Sequence, residues 1–401
     1  MPGLFPLLRS LVDRARRRGL RSGLYLLLGS LAPEVSRQAG ESLAGRASYL
    51  ELAPFDLLEV GREAEPVLWL RGGFPESFLA LGDEESFRWR LDFLRSYVER
   101  EIPLLGGRLP AEGLRRFLTM LAHLQGELLN TSALARNLGL DGRTVNRYLD
   151  FLVDLYLLRR LPPLEANVGK RLVKSPKLYL RDSGLVHALL GLRTLEDLLA
   201  HPVVGRSYEG FVVENLLRVL SEGGEAYFYR TRAGAEVDLV LLLPGGRLWA
   251  VEVKRGLDPR PSRGFHEALK DLKPQEAFVI YPGGETFPVG EGVFAAPLGA
   301  VMERLWRGQA PALGFRGPGL SGHANLAGKA ASQGRVAGRG GVLRQPLGNP
   351  PGNRLPLGRS FPGRPESSPG LRSHKAPGRP NSPSPAFLAT HAPASPMRFP
   401  A

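Results

Sequence analysis

The sequence predicts an α/β chain in four parts: a short parallel-sheet segment (residues 1–80), a helical middle (81–185), a compact α/β unit (186–305) and a disordered tail (306–401). Three observations carry this reading. Strand-like and helical stretches alternate over the first eighty residues, the pattern that builds parallel sheets. Residues 235–254 form two apolar β-type runs joined by Pro244-Gly245-Gly246-Arg247, which reads as a hairpin turn. The segment from Pro311 on holds sixteen Pro and fifteen Gly with few large apolar side chains, so it cannot bury enough surface to offset its ordering entropy.

In chain order, Leu4–Arg18 is an amphipathic helix with Leu4, Leu7, Leu8, Leu11 and Val12 on one side. A strand follows at Leu24–Leu28, ending in Gly29-Ser30, then a helix at Pro33–Leu43 and a strand-like Tyr49–Leu52. The middle is helical from Phe87 on. Within it Ser132–Leu140 is a short helix ended by a glycine turn, and Asp141-Gly142 opens a second helix running to about Leu157. Leu134, Leu138, Leu140, Val145, Leu149 and Leu152 pack these as a helix-turn-helix, with Leu157–Leu164 and Lys177–Leu180 as the strands of a wing. Arg143, Thr144, Asn146 and Arg147 begin the second helix, where base edges or phosphates are met; Lys170, Arg171, Lys174 and Lys177 form a basic cluster that contacts phosphate or solvates a loop. A helix-turn-helix also serves as a packing module, and Asp150 and Asp154 dilute this basic face. Tyr208–Leu220 is a helix with Phe211, Val212, Leu216 and Val219 as its apolar stripe; Leu257–Leu272 is a helix and Ala277–Tyr281 a buried strand.

The chemistry-bearing residues lie in the hairpin. Glu236 and Asp238 sit in AEVDLVLLL (Ala235–Leu243), and Glu252 and Lys254 in LWAVEVK (Leu248–Lys254), where a strand normally buries aliphatic side chains. Period-two alternation places Glu236 with Asp238 on one face and Glu252 with Lys254 on one face of the next strand. Antiparallel pairing then converges Asp238, Glu252 and Lys254. Two carboxylates suit Mg²⁺, and a lysine orients water or steadies a phosphate. The bland alternative is an edge hairpin with a surface salt bridge. An acid, a hairpin turn and then E-x-K resembles the PD-(D/E)xK nuclease core, the restriction-endonuclease-like fold. The resemblance implies Asp238 and Glu252 as metal ligands, Lys254 as the water-orienting group and Glu236 as a supporting acid. It also implies an acid from the upstream helix, which offers Glu209 and Glu214, with Glu214 preferred because it lies mid-helix.

A second resemblance spans residues 3 to 300. LLLGS (Leu26–Ser30), Tyr49–Val60, Gly72-Gly73-Phe74-Pro75-Glu76 and KSPKLYLRDSGL within Asn167–Leu185 are similar to segments of predicted prokaryotic AAA-type ATPases that carry a C-terminal domain of unknown function. It implies Ser30 as a sensor residue of the nucleotide site. No G-x-x-x-x-G-K-[ST] and no Walker B strand occur, so the expectation is a chain starting downstream of Walker B, one that does not hydrolyse ATP.

Composition bounds the rest. The formal charge is +14, but twelve Lys or Arg against one acid, Glu366, fall after residue 310, leaving 41 basic and 38 acidic residues before it. The tail reads as disorder, as a polybasic nucleic-acid arm, or as GC-rich DNA translated out of frame. There is no Cys, which excludes disulfides and thiolate metal sites, and the seven His lack ligand spacing. No apolar run approaches a membrane span. The Arg-rich start contains Asp13 and runs into fold-like sequence, so an ordinary helix and a cytoplasmic protein are expected. Three functions follow: a Mg²⁺-dependent nuclease acting on DNA, an inert nucleic-acid- or protein-binding module, or a truncated ATPase without function.

Overall fold

The computed structural model describes residues 4–20, 22–28, 43, 45–48, 50–97, 110–165, 169 and 171–309. The first helix forms at Leu4–Arg17 (α1). The strands expected next do not form: residues 25–28 and 50–52 are irregular, with Leu26, Leu28, Leu50 and Leu52 all more than 80 % exposed. A strand gains its hydrogen bonds only from a neighbour, and no strand runs beside them among the described residues. Ser30, Tyr49, most of the helix expected at 33–43, Lys170 and the tail beyond Gln309 lie outside the described residues.

Residues 55–80 are not a separate unit either. The short helices Leu57–Val60 (α2), Glu65–Arg71 (α3) and Pro75–Phe78 (α4) bury Leu57, Leu68, Trp69 and Leu70 in the same core as the C-terminal sheet. The Gly72-Gly73 pair is where the chain passes tightly against the later segment. Gly72 has φ 78°, and a Cβ there would lie 2.2 Å from Asp182 Oδ1. Gly73 N donates to Asp182 Oδ2 at 2.8 Å. Only glycine admits that approach and that backbone conformation.

After Asp83–Ser96 (α5), the helices Ala111–His123 (α6), Thr131–Leu138 (α7) and Gly142–Asp154 (α8) enclose one core with the antiparallel pair Leu158–Leu161 (β1) and Lys177–Leu180 (β2). The local signals are plain. Asn130 caps α7, whose end is Gly139 in the left-handed region, and Asp141 caps α8 by accepting from Thr144 N.

The helices Ser183–Leu189 (α9), Leu195–Ala200 (α10) and Val204–Arg218 (α11) lead into a mixed six-stranded sheet. Its strands are Glu225–Arg230 (β3), Glu236–Leu243 (β4), Arg247–Val253 (β5), Glu276–Ile280 (β6), Phe287–Gly290 (β7) and Val293–Ala296 (β8), in spatial order β3-β4-β5-β6-β8-β7. β3, β4 and β5 pair antiparallel, whereas β5, β6 and β8 run parallel, with Arg263–Leu272 (α12) as the crossover from β5 to β6. α11 and the final helix Leu298–Gln309 (α13) cover one face through Phe211, Val212, Leu216, Val301, Met302 and Leu305; α12 covers the other through Phe265 and Ala268.

Two features of this sheet position the site. The β1–β2 connection lies along β3, with Leu164 N on Phe228 O at 2.7 Å and Val173 N on Arg230 O at 3.0 Å, so the sheet edge is covered. The β3–β4 register shifts by one: Tyr227 faces Val240 while Tyr229 faces Val237, leaving Asp238 and Leu239 together opposite Phe228. A bulge of this kind breaks the alternation of side chains.

Candidate functional site

The bulge decides where the acids go. Leu239 and Leu241 lie in the α11-side core, Val237 and Val240 in the α12-side core, so the alternation is interrupted between positions 237 and 239. Glu236 and Asp238 turn toward α11. There Lys177 Nζ, reaching from β2, meets Glu209 Oε1 at 2.9 Å, Glu236 Oε1 at 3.3 Å and Asp238 Oδ1 at 3.3 Å, and lies 5.7 Å from the centre of the Phe228 ring. Its side chain is 4 % exposed. Tyr179, two residues along the same strand, donates its hydroxyl to Glu209 Oε1 at 2.6 Å. Asp238 Oδ2 accepts from Val253 N at 3.0 Å, which fixes the carboxylate across the β4–β5 ladder.

Glu252 points the other way. It follows Ala250 of the α12-side core by two positions, is buried, and accepts from Ser262 N at the start of α12 at 2.9 Å. Lys254 Nζ contacts Glu252 Oε1 at 2.9 Å. Asp238 and Glu252 therefore take their partners on opposite sides of the sheet. A divalent ion needs carboxylates converging on an open seat. Here an ammonium stands among three of them and the fourth is engaged elsewhere, so the side chains as arranged do not fit Mg²⁺. Among the described residues, no three His, Cys, Asp or Glu are set to hold a metal ion.

The electrostatics follow from burial. Desolvation alone would lower the Lys177 pKa, but Glu209, Asp238 and Glu236 raise it above the ordinary lysine value and keep the ammonium charged. Burial pushes the Glu209 carboxyl up, the charge of Asp238 adds to that, and Lys177 and Tyr179 only partly offset it. The Tyr179 phenol is pushed well up by burial and by Glu209 beside it.

Glu214, the acid preferred from sequence, serves a different cluster. It accepts from Arg159 Nε and, at 2.9 Å, Arg159 Nη2, and from Arg181 Nε at 3.1 Å, with its side chain 3 % exposed. Burial would raise its pKa, but the Arg159 guanidinium by charge and hydrogen bond, with Arg181 and Arg218, holds it at about 2. It ties α11 to β1 and the residue after β2. Tyr179 carries no role in the sequence pattern, Glu209 is there the less favoured of the two helix acids, and Lys177 is grouped with the basic cluster rather than with the acids it meets. A charged residue inside the apolar KLYL strand was the available signal, the same one that marked Glu236 and Asp238.

On the helical unit, Arg143, Asn146 and Arg147 are exposed at the start of α8, and Thr144 is half-buried with its hydroxyl on Asp141 Oδ2 at 2.7 Å. Neither Arg143 nor Arg147 enters an ion pair among the described residues. Arg171 and Lys174, in the connection between β1 and β2, are also exposed. Residues 110–180 carry eleven Lys or Arg against six Asp or Glu, whereas 181–309 carry fifteen against seventeen. The helical unit thus carries a basic excess that residues 181–309 lack.

No described helix is long and apolar enough to cross a membrane. No solved structure matches the chain. Residues 63–196 match a domain of unknown function (DUF8612), and residues 204–301 match a second (DUF4143), one often found with AAA ATPases. The first match takes in the helical unit and the second the sheet with α11 and α12. Two curated relatives, the uncharacterized protein Mb2031c of Mycobacterium bovis and the uncharacterized protein Rv2008c of Mycobacterium tuberculosis, are each 42 % identical over 302 residues, 75 % of this chain and 67 % of the relative. The six-stranded sheet lies within the stretch that matches DUF4143, and the chain belongs to the family of these two mycobacterial proteins.

Proposed function

We propose that this protein binds nucleic acid through a winged-helix unit seated on a restriction-endonuclease-like core that does not itself cut. The observation that carries the reading is the pair of exposed arginines, Arg143 and Arg147, at the start of α8 and free of ion pairs among the described residues, with Arg171 and Lys174 exposed in the connection between the wing strands. Three helices followed by a two-stranded wing is an arrangement that lays its third helix in a groove and its wing against the backbone. The basic excess of this unit supplies the sequence-independent attraction to phosphate.

The order helix, three antiparallel strands, helix, parallel strand over α11 to β6 supports the nuclease-like reading of the core. Hydrolysis by it would require Asp238 and Glu252 to share one ion and Lys254 to face the water. The engagement of Asp238 with Lys177, and of Glu252 with Ser262, favours a scaffold. The core then serves to hold the wing strands, and through its AAA-associated domain type it offers a surface for a protein partner.

Fluorescence anisotropy of the full chain with a labelled duplex of about twenty base pairs, titrated at several salt concentrations, tests the proposal. Binding should weaken linearly in log–log form, and Arg143→Ala or Arg147→Ala should each reduce the slope by about 1. Binding that ignores salt, or slopes unchanged in both variants, would refute the assigned face.

A further inference from the structure

We propose that Lys177 is the resident cation of the core: a tethered ammonium standing in the seat its carboxylates would otherwise offer a divalent metal, so that the wing strand closes the core to metal. The inference rests on reading the core as a nuclease-like scaffold, and nucleic-acid binding by α8 can fail without touching it.

Three acids from two elements, Glu209 of α11 and Glu236 and Asp238 of β4, present one oxygen each to a single point, and a cation is already there. That point is enclosed. Phe228 lies against the ammonium, Tyr179 holds the Glu209 oxygen from the side, and Val253 N fixes the far oxygen of Asp238. Such a set of oxygens is the donor chemistry of Mg²⁺ or Mn²⁺ rather than of a thiol- or imidazole-bound metal. One ammonium against three carboxylates leaves the seat short of positive charge, with Arg230 Nε 3.5 Å from the outer oxygen of Glu236 as the further cation. A doubly charged ion would balance the acids better than the lysine does. What excludes it is geometry: the lysine belongs to β2, whose partner β1 is held to α11 by Arg159 and Glu214. The ammonium is thus delivered by the same small sheet that carries the wing.

The prediction is a gain of metal binding when the ammonium is removed without loss of volume. Mn²⁺ titrated into full-length Lys177→Met, followed by loss of the free-ion paramagnetic resonance signal, should show one site with a dissociation constant on the order of 0.1–1 mM, at least tenfold tighter than wild type. Mn²⁺ should also raise the melting temperature of that variant and not of wild type or of Lys177→Arg, which keeps a cation in place. Lys177→Met with Asp238→Asn should lose the site. If Lys177→Met is unfolded in metal-free buffer, millimolar Mn²⁺ should restore its circular dichroism. Equal Mn²⁺ binding by wild type, a folded Lys177→Met that binds none, or a variant unfolded with and without Mn²⁺ would each overturn the proposal.

Discussion

Replacing Glu214 with glutamine tests whether the acid of α11 is structural or chemical. Its side chain is 3 % exposed and is held by Arg159 and Arg181. The carboxyl titrates at about 2 in the folded protein against an ordinary 4.5. That difference corresponds to about 3 kcal/mol of stability at neutral pH, the lower end of the range for breaking a buried ion pair. Because the folded value lies below the unfolded one, the contribution is complete above pH 4.5 and fades as pH falls toward 2. Urea unfolding of wild type and Glu214→Gln at pH 7, 5, 4 and 3 should show a gap of about 3 kcal/mol that narrows through the last two points. An acid kept for catalysis behaves oppositely, since clustered carboxylates without their cation repel and neutralising one is stabilising. A gap under about 1 kcal/mol, or one that does not change with pH, would refute the structural assignment.

Further outcomes follow from the same packing. Gly184→Ala would put a Cβ 2.1 Å from the carbonyl oxygen of Arg71, where only backbone can give way, so a loss of about 3 kcal/mol or more is expected in thermal melts. His187 is fully buried, with Nδ1 on Leu70 O at 2.9 Å and Nε2 on Ser207 Oγ at 2.6 Å. Burial, against the pull of the Leu70 carbonyl, lowers its pKa from 6.5 to about 3. The neutral ring is therefore the folded form, its stability contribution is lost as pH falls from 6.5 toward 3, and its NMR shifts should not titrate between pH 8 and 5. A midpoint near 6.5 would mean the ring is solvated.

The elements of the core were legible because their signals are local. Ala235–Leu243 and Leu248–Lys254 appear as Glu236–Leu243 and Arg247–Val253, and the Pro-Gly-Gly turn joins them with Gly245 and Gly246 at positive φ. Gly139 and Asp141 likewise announced the turn between α7 and α8. The convergence of Asp238 with Glu252 was read from period two, and the bulge opposite Phe228 breaks that period with nothing in the local sequence to mark it. The choice between Glu209 and Glu214 turned on helix rotation. Five residues apart, they point roughly 140° away from each other, and only the packing of α11 decides which faces β4 and which faces Arg159. Lys177 meets Glu209 from 32 residues upstream and Asp238 from 61, tertiary contacts that pattern does not carry. The apolar runs at 24–28 and 50–52 have no neighbouring strand among the described residues to pair with.

The proposed function requires that the winged-helix unit bind DNA while the core leaves it uncut. Supercoiled plasmid incubated with Mg²⁺ or Mn²⁺ and the wild-type chain, beside Asp238→Ala and Lys254→Ala, measures it directly. Retarded but intact supercoiled DNA at low salt is expected with all three proteins. Metal-dependent nicking by wild type that disappears in both variants would contradict it.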